Sequence, residues 1–284
     1  MNPIASKAES LAGVSVVVTR PATTAAVLVR AVQARGGTAL RLPGLILRAP
    51  TNMLATAADL RSALAADIWI FASPSAVEFA WRVLPSLRIP RRLVVLAVGR
   101  GTARELAKRE VAAIVPVSGD ESSEGLLELG ELANVKRKQI ALVGAAGGRG
   151  LLVPELKRRG AHVEQIHVYR RAAAKLTQRQ INAVANAELP IITLLSSGEA
   201  LSNLVTALPE PVLEKLRSAP LVVSSARLTA IAKTAGFARV SVAESPAPND
   251  LVARASALQL SLDRRVEAPA SAKVKRGRTP PTRS

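Results

Sequence analysis

Residues 16–43 read VVVTRPATTAAVLVRAVQARGGTALRLP, and residues 140–169 read IALVGAAGGRGLLVPELKRRGAHVEQIHVY. Each begins with an apolar β-branched run, turns through small residues, continues as a helical pattern, stops at Gly-Gly or Arg-Gly, and resumes as a second extended run. The correspondence continues elsewhere. Residues 69–84, WIFASPSAVEFAWRVL, match 191–205, IITLLSSGEALSNLV, and residues 94–117, VVLAVGRGTARELAKREVAAIVPV, match 221–242, LVVSSARLTAIAKTAGFARVSV. The paired segments lie 122–127 residues apart and keep the same internal order, so the chain reads as two similar α/β domains of about 110–120 residues each.

The alternation within each half defines the fold class. Strand-like runs at Val14–Thr19, Asp67–Ala72, Leu93–Val98, Ile140–Val143, Ile191–Leu195 and Leu221–Ser224 lead into helical patterns at Thr24–Arg35, Ala76–Leu84, Thr102–Lys108, Gly150–Arg159, Glu199–Leu208 and Leu228–Thr234. Continuously apolar strands alternating with helices predict parallel sheets covered on both faces. Ligands then bind beyond the strands' C-terminal ends, in the turns that enter the helices. Two extended stretches, Leu40–Ala49 and Val163–Ala172, each follow the first helix of a repeat. If both cross between domains, they form a two-stranded β connector and a hinge with a cleft between lobes. The first domain then combines 1–39 with 173–263, the connector takes 40–50 and 163–172, and the second domain spans 51–162.

Composition removes several function classes. The chain has 284 residues, no Cys and two His, which leaves no thiolate chemistry, no Cys-based zinc site and little for a His-rich metal centre or a Ser-His-Asp scheme. Six aromatic residues are too few for a base-stacking platform. No apolar run is long enough to span a bilayer, and the N-terminal stretch lacks the features of a signal peptide, so a cytoplasmic location is expected. The net charge is +18. Residues 264–284, RRVEAPASAKVKRGRTPPTRS, contribute seven Lys/Arg against one Glu and read as a disordered basic tail. The remainder is cationic too, which favours an anionic ligand.

The turns are small and polar: Ser73-Pro74-Ser75-Ala76, Gly99-Arg100-Gly101-Thr102, Gly144–Gly150, Ser196-Ser197-Gly198 and Ser224-Ser225. Such turns expose helix N-terminal N–H groups to a carboxylate without a Lys or Arg at every contact. Gly147-Gly148-Arg149 lacks the Lys-Ser/Thr of a nucleotide-binding P-loop and the spacing of a dinucleotide fingerprint, so nucleotide binding is rejected and Arg149 reads as structural.

The ordered set of VVVTRP, LPGLIL, FASPSAVEFA, AVGRGTARELA, VGAAGGRGLLVPELKRRGAHVEQIHVYRR, LLSSGEAL and the closing AGF with Asn249-Asp250-Leu251 resembles the uroporphyrinogen-III synthase family over about residues 14–256. That resemblance implies two flavodoxin-like halves joined by a two-stranded connector. It also implies a cofactor-free hydro-lyase of porphyrin, tetrapyrrole and haem biosynthesis, with hydroxymethylbilane as substrate. The reaction is cyclisation to uroporphyrinogen III with loss of water and inversion of ring D. Ring A loses its hydroxyl to give an azafulvene, and ring D attacks through its substituted carbon. A spiro intermediate then fragments and recloses. Uncatalysed closure gives the unrotated isomer, so the enzyme's task is mainly orientation.

By the same resemblance Tyr169, the chain's one tyrosine, is the residue that assists departure of the hydroxyl; the alternative is that it positions the substrate only. Arg20, Ser73, Ser75, Ala76, Thr102, Gly144, Ser197 and Gly198 are the expected substrate-binding positions. Five of them have a local alternative: Ser73, Ser75, Ser197 and Thr102 as helix caps, Arg20 as a brace for its turn. His162 and His167 read as surface or packing residues. At 224–227 the chain has Ser-Ser-Ala-Arg where the family pattern is richer in Pro or His, and no role is carried over to Ser225. No metal, membrane or nucleic-acid partner is expected, and the protein is expected to be a monomer. Whether the tail binds a partner such as hydroxymethylbilane synthase stays open. A two-domain anion-binding module without catalysis is the competing reading, separable by an assay of bilane closure.

Overall fold

A computed structural model describes residues 10–116, 123–147 and 150–267 of the chain, the last six as backbone. It contains two five-stranded sheets whose assigned pairings are mostly parallel, with helices packed on their faces. Residue contacts divide the chain into two units. One runs to Leu45 and resumes at Ala173; the other is Ile46–Ala172. The chain thus passes between units at two places.

In the first unit, β1 (Ser15–Val18), β2 (Thr38–Arg41), β8 (Ile191–Leu195), β9 (Leu221–Val223) and β10 (Val240–Val242) line up in the order β10-β9-β8-β1-β2. Val16 sits opposite both Ala39 and Ile192, which makes β1 a central strand. Burial follows position in the sheet. Every residue of β8 and β9 is buried, whereas the edge strand β2 is partly exposed, as expected of a sheet covered on both faces. Val16, Val18, Ile192, Leu194 and Val222 point to one face. There they meet Ala25, Leu28, Val29 and Val32 of α1 (Ala22–Ala34) and Leu251, Val252 and Ala255 of α11 (Pro248–Glu267). Burying each Val or Leu side chain there stabilises the fold by roughly 1.5–3 kcal/mol. Three further helices, α8 (Gly198–Ala207), α9 (Glu210–Ser218) and α10 (Ala226–Thr234), pack against β8 or β9. The helix α7 (Gln178–Ala185) opens on a reciprocal cap in which Thr177 and Gln180 satisfy each other's backbone N–H.

In the second unit the order is β3-β7-β6-β4-β5, formed by β3 (Leu45–Arg48), β4 (Ile68–Phe71), β5 (Val94–Ala97), β6 (Gln139–Ala145) and β7 (His162–Ala173). A parallel bridge from Leu96 to Ile114 extends the β5 edge. Alternation splits the side chains between two cores. Trp69, Phe71, Val95, Ala97, Ala141, Val143, Ile166 and Val168 face α2 (Met53–Ser62), α3 (Pro74–Val83) and α4 (Arg100–Ala107). Ile68, Ile70, Leu96 and Ile140 face α5 (Ser123–Leu127) and α6 (Leu152–Arg158). Trp69 is fully buried and its Nε1 donates to the Ala63 carbonyl at 2.7 Å, so its polar edge is satisfied.

The internal repeat is visible in the strand order. Mapping β6 and β7 onto β1 and β2, β4 onto β8, and β5 onto β9 turns β7-β6-β4-β5 into β2-β1-β8-β9, and the Ile114 bridge takes the place of β10. Gly36 and Gly160, at equivalent places after α1 and α6, both adopt positive φ (81° and 85°). That left-handed turn lets the next residue's N–H close on the helix, Gly37 to Val32 and Ala161 to Leu156. The extended stretches expected to act as a connector are distributed between the sheets. Residues 40–41 end β2 in the first sheet, while β3 and β7 are neighbours in the second. α11 carries the backbone through Glu267, four residues into the segment read as a tail; residues 268–284 lie outside the described residues. Among the described residues no helix is long and apolar enough to cross a membrane.

Candidate functional site

Both sheets present the C-terminal ends of parallel strands next to helix N-termini, and the expected residues fall there. In the first unit β1 and β8 are adjacent, and their connections lead to opposite sides of the strand order. That is where ligands enter open α/β sheets. Arg20 follows β1. Its Nε and Nη2 donate to Ser196 Oγ at 3.3 and 3.2 Å, and Nη2 also donates to the Pro246 carbonyl. The guanidinium is partly buried, and desolvation pushes its pKa down. No carboxylate pairs with it among the described residues. A guanidinium stays protonated, so the site holds a partly desolvated cation without a counter-charge. Ser197 caps α8 by accepting from the Ala200 N–H at 3.3 Å. A Cβ at Gly198 would lie 3.0 Å from Ile231 Cδ1, so tight packing on α10 is one reason for glycine there.

In the second unit the equivalent ends are those of β4 and β6. Ser73 caps α3: its Oγ accepts from the Ala76 N–H at 3.0 Å. The same oxygen lies 3.2 Å from the Tyr169 hydroxyl. The Tyr169 ring stacks on Phe79 of α3, with centroids 5.3 Å apart and planes inclined by 28°. β7 reaches this arrangement through an irregularity. Gly144 pairs with His167, but Ala145 pairs with Tyr169, so Val168 is an extra residue. Strict alternation would have put Tyr169 on the His167 face. The bulge instead brings it to the face of Ile166 and Val168, where it packs on the α3 core.

The remaining expected residues of this unit cluster around the same turns. Ala76 is fully buried, and its N–H is committed to Ser73. Ser75 is buried at the second position of α3. Thr102 is buried as well, but it does not cap α4: Gly99 occupies that position, and Thr102 is the third helical residue. A Cβ at Gly101 would meet Pro74 Cγ at 3.5 Å, which puts the starts of α3 and α4 side by side. Gly144 ends the regular pairing of β6, and a Cβ there would lie 3.1 Å from Ala72 Cβ. Neither α1, α3 nor α4 carries an acidic residue in its first turn, so these positive helix ends are uncompensated.

On the opposite face of the same sheet a cavity of about 520 Å³ is lined by Ile70, Leu142, Gly144, Leu152, Gln165 and His167, among others. His162 and His167 are both exposed, as a surface reading expects, and His167 borders this cavity. Gly148 and Arg149 lie outside the described residues. The structure adds Ser196, which shares Arg20, and Phe79, which carries Tyr169. Ser196 was readable as part of a small polar turn; nothing in the spacing of Phe79 distinguished it from a core residue. No cluster of potential metal ligands occurs among the described residues.

A family model described as uroporphyrinogen-III synthase HemD matches residues 26–253. The uroporphyrinogen-III synthase of Escherichia coli K12 is 33% identical over 245 residues, covering 85% of this chain and 99% of that protein. The protein of the same name from Salmonella typhimurium is 31% identical over 253 residues, with 85% and 99% covered. Among solved structures, a mutant uroporphyrinogen III synthase from Thermus thermophilus superposes with a TM-score of 0.55 at 18% identity, covering 90% of this chain and all of that one. The Helicobacter pylori synthetase gives 0.53 at 17% identity, with 88% and 99% covered. At those identities the structures speak to the fold, which they share with this chain. The match along most of the sequence, joined to curated relatives spanned almost end to end, places this chain in the uroporphyrinogen-III synthase family.

Proposed function

We propose that this protein converts hydroxymethylbilane to uroporphyrinogen III and water, and that its two α/β halves hold the bilane while Tyr169 assists the first bond cleavage. The observation that carries the chemical assignment is the Tyr169 phenol, held by Ser73 and Phe79 at the C-terminal edge of a parallel sheet. A phenol O–H can donate a proton to a leaving hydroxyl. The hydroxyl of ring A's hydroxymethyl group takes that proton and departs as water, pushed by the pyrrole nitrogen's electron pair, and the remaining methylene becomes the exocyclic carbon of an azafulvene. The substituted α-carbon of ring D attacks that exocyclic carbon and forms the spiro intermediate. The bond joining ring D to its old methylene breaks, and the methylene closes on the free α-carbon. Loss of one proton from ring D restores aromaticity and balances the proton given to water. The sequence of steps moves protons and carbon–carbon bonds without net oxidation, so the protein's own work is orientation and proton donation.

The substrate is a polyanion with acetate and propionate arms, and the edges are suited to it. Arg20 offers an unpaired, partly desolvated cation. The turns at Ser75, Thr102, Gly144, Ser197 and Gly198 bring the chain's small residues to helix starts and strand ends, where carboxylates can approach the backbone. The test is incubation with fresh hydroxymethylbilane, followed by oxidation and separation of product isomers. Type III product is expected; exclusively type I product at saturating protein would reject the activity and leave an anion-binding module.

A further inference from the structure

We propose that Ser73 is a positioning residue for Tyr169. Its hydroxyl holds the phenol so that the phenolic proton points to the substrate, and it links that phenol to the N-terminus of α3. The inference rests on the reading of Tyr169 as the group that assists water loss. It goes beyond the expected role of Ser73, which was to touch a substrate carboxylate or to cap a helix.

The argument is one of hydrogen-bond capacity. A serine hydroxyl has one proton and two lone pairs. One lone pair of Ser73 Oγ takes the Ala76 N–H at 3.0 Å. Its proton is therefore free to go to the Tyr169 oxygen, 3.2 Å away. In that arrangement the Tyr169 proton is not spent on Ser73 and remains available. The chain then runs in one direction, from the Ala76 N–H through the Ser73 O–H to the Tyr169 O–H. Each link polarises the next. At its head stands a ten-residue helix with Pro74 in its first turn and no acidic residue there to offset its positive end.

The second support is mechanical. Both groups that hold the phenol belong to α3 or its cap: Ser73 fixes the oxygen and Phe79 fixes the ring plane. α3 is anchored by Ala76, Val77, Phe79 and Ala80, all buried, so it carries both contacts as one body. The bulge at Val168 is what brings the phenol to this face. The internal repeat isolates the extra task. Ser197 caps α8 with a similar geometry, yet with Gly36 matched to Gly160 and the extra residue Val168 allowed for, the position of the other repeat that aligns with Tyr169 is Gly44, so only the Ser73 cap meets a phenol.

The test compares Ser73→Gly, Ser73→Thr, Tyr169→Phe and the double variant Ser73→Gly/Tyr169→Phe in bilane closure. Glycine keeps most of a serine cap's value, so Ser73→Gly removes the hydroxyl with little harm to α3. We expect Ser73→Gly to lower kcat about tenfold with KM within about twofold, and Ser73→Thr to restore most of the rate. The double variant should be no slower than Tyr169→Phe, because the serine acts through the phenol. Because the chain has a single tyrosine, carbon-13 labelling of tyrosine gives one Cζ resonance. It should shift in Ser73→Gly and return in Ser73→Thr. A wild-type kcat in Ser73→Gly alongside an impaired Tyr169→Phe overturns the inference and spares the role of Tyr169. A wild-type rate in Tyr169→Phe overturns both. Multiplicative losses in the double variant, or an unmoved Cζ resonance, overturn the positioning role alone.

Discussion

Replacing Arg20 by methionine removes a cation and keeps most of the side chain's length and apolar stem. In the folded protein the guanidinium has two hydrogen-bond partners, Ser196 Oγ and the Pro246 carbonyl, and its burial already disfavours the charged form. Losing those contacts is offset by no longer desolvating a charge, so net stability should change by about 1 kcal/mol or less. In a domain of this size that is a shift in Tm of a few degrees. Binding should respond more strongly. A hydrogen bond between charged groups contributes about 1.5–3 kcal/mol, so one lost guanidinium–carboxylate contact raises KM about 10- to 150-fold. Since the contact is made equally by bound substrate and transition state, kcat should fall less than about threefold. Arg20→Lys should lie between, because lysine keeps the charge without the two-pronged geometry. The assay is initial-rate closure at varied bilane concentration, with isomers resolved, beside a thermal melt. An unchanged KM with a melting point lowered by well over ten degrees would mean that Arg20 only braces its turn.

Three further outcomes follow from the packing and the charges. A Cβ at Gly44 would lie 2.3 Å from the carbonyl oxygen of Ala200 and 2.7 Å from its Cα, both backbone atoms of α8. Gly44→Ala should therefore cost upwards of about 3 kcal/mol in urea unfolding, and a wild-type midpoint would refute that close approach. Trp69→Phe leaves the Ala63 carbonyl without the indole donor and should cost about 1–3 kcal/mol by the same measurement; no loss would mean the indole bond contributes nothing. Glu155 accepts from Arg158 and Arg159, and these partners hold its pKa at about 2 against an ordinary 4.5. Because the folded value is the lower one, its stabilising effect is full above the ordinary value and disappears as pH falls through about 2. Wild type should thus exceed Glu155→Gln in stability at neutral pH, with the gap closing as pH drops below about 4.5; a gap independent of pH would show that the charge is not involved.

Much of the fold was legible because its signals are local. The run Ile191–Leu195 coincides with β8, and α1, α3, α8 and α10 begin within about two residues of the expected helix starts. α2, α5, α7, α9 and α11 lie outside the expected helices; α7 and α9 nonetheless carry local signals, the Thr177–Gln180 capping pair and the one-sided set Val212, Leu213 and Leu216, which a strand–turn–helix pattern does not use. At the site, Ser73 and Ser197 were readable as caps because a serine ahead of a helical pattern satisfies an open N–H wherever it occurs. Thr102 misled for a related reason. It stands close to a helix start, but the backbone turns at Gly99, and the threonine falls inside the helix and is buried.

Periodicity, turn chemistry and an internal repeat are read from nearby residues or from repeated order, so two α/β halves, their parallel strands and the small polar turns at the strand ends follow from the order of the amino acids. The partners of those turns do not. Ser196 reaches Arg20 across 176 positions, and Ser73 reaches Tyr169 across 96. Both meetings depend on which strands become neighbours. One extra residue in β7 then decides the face on which the sole tyrosine lies. Alternation read along the chain puts that phenol beside His167. Folding puts it on α3, because a bulge is favourable only once the neighbouring strand and the Phe79 ring are there to receive it.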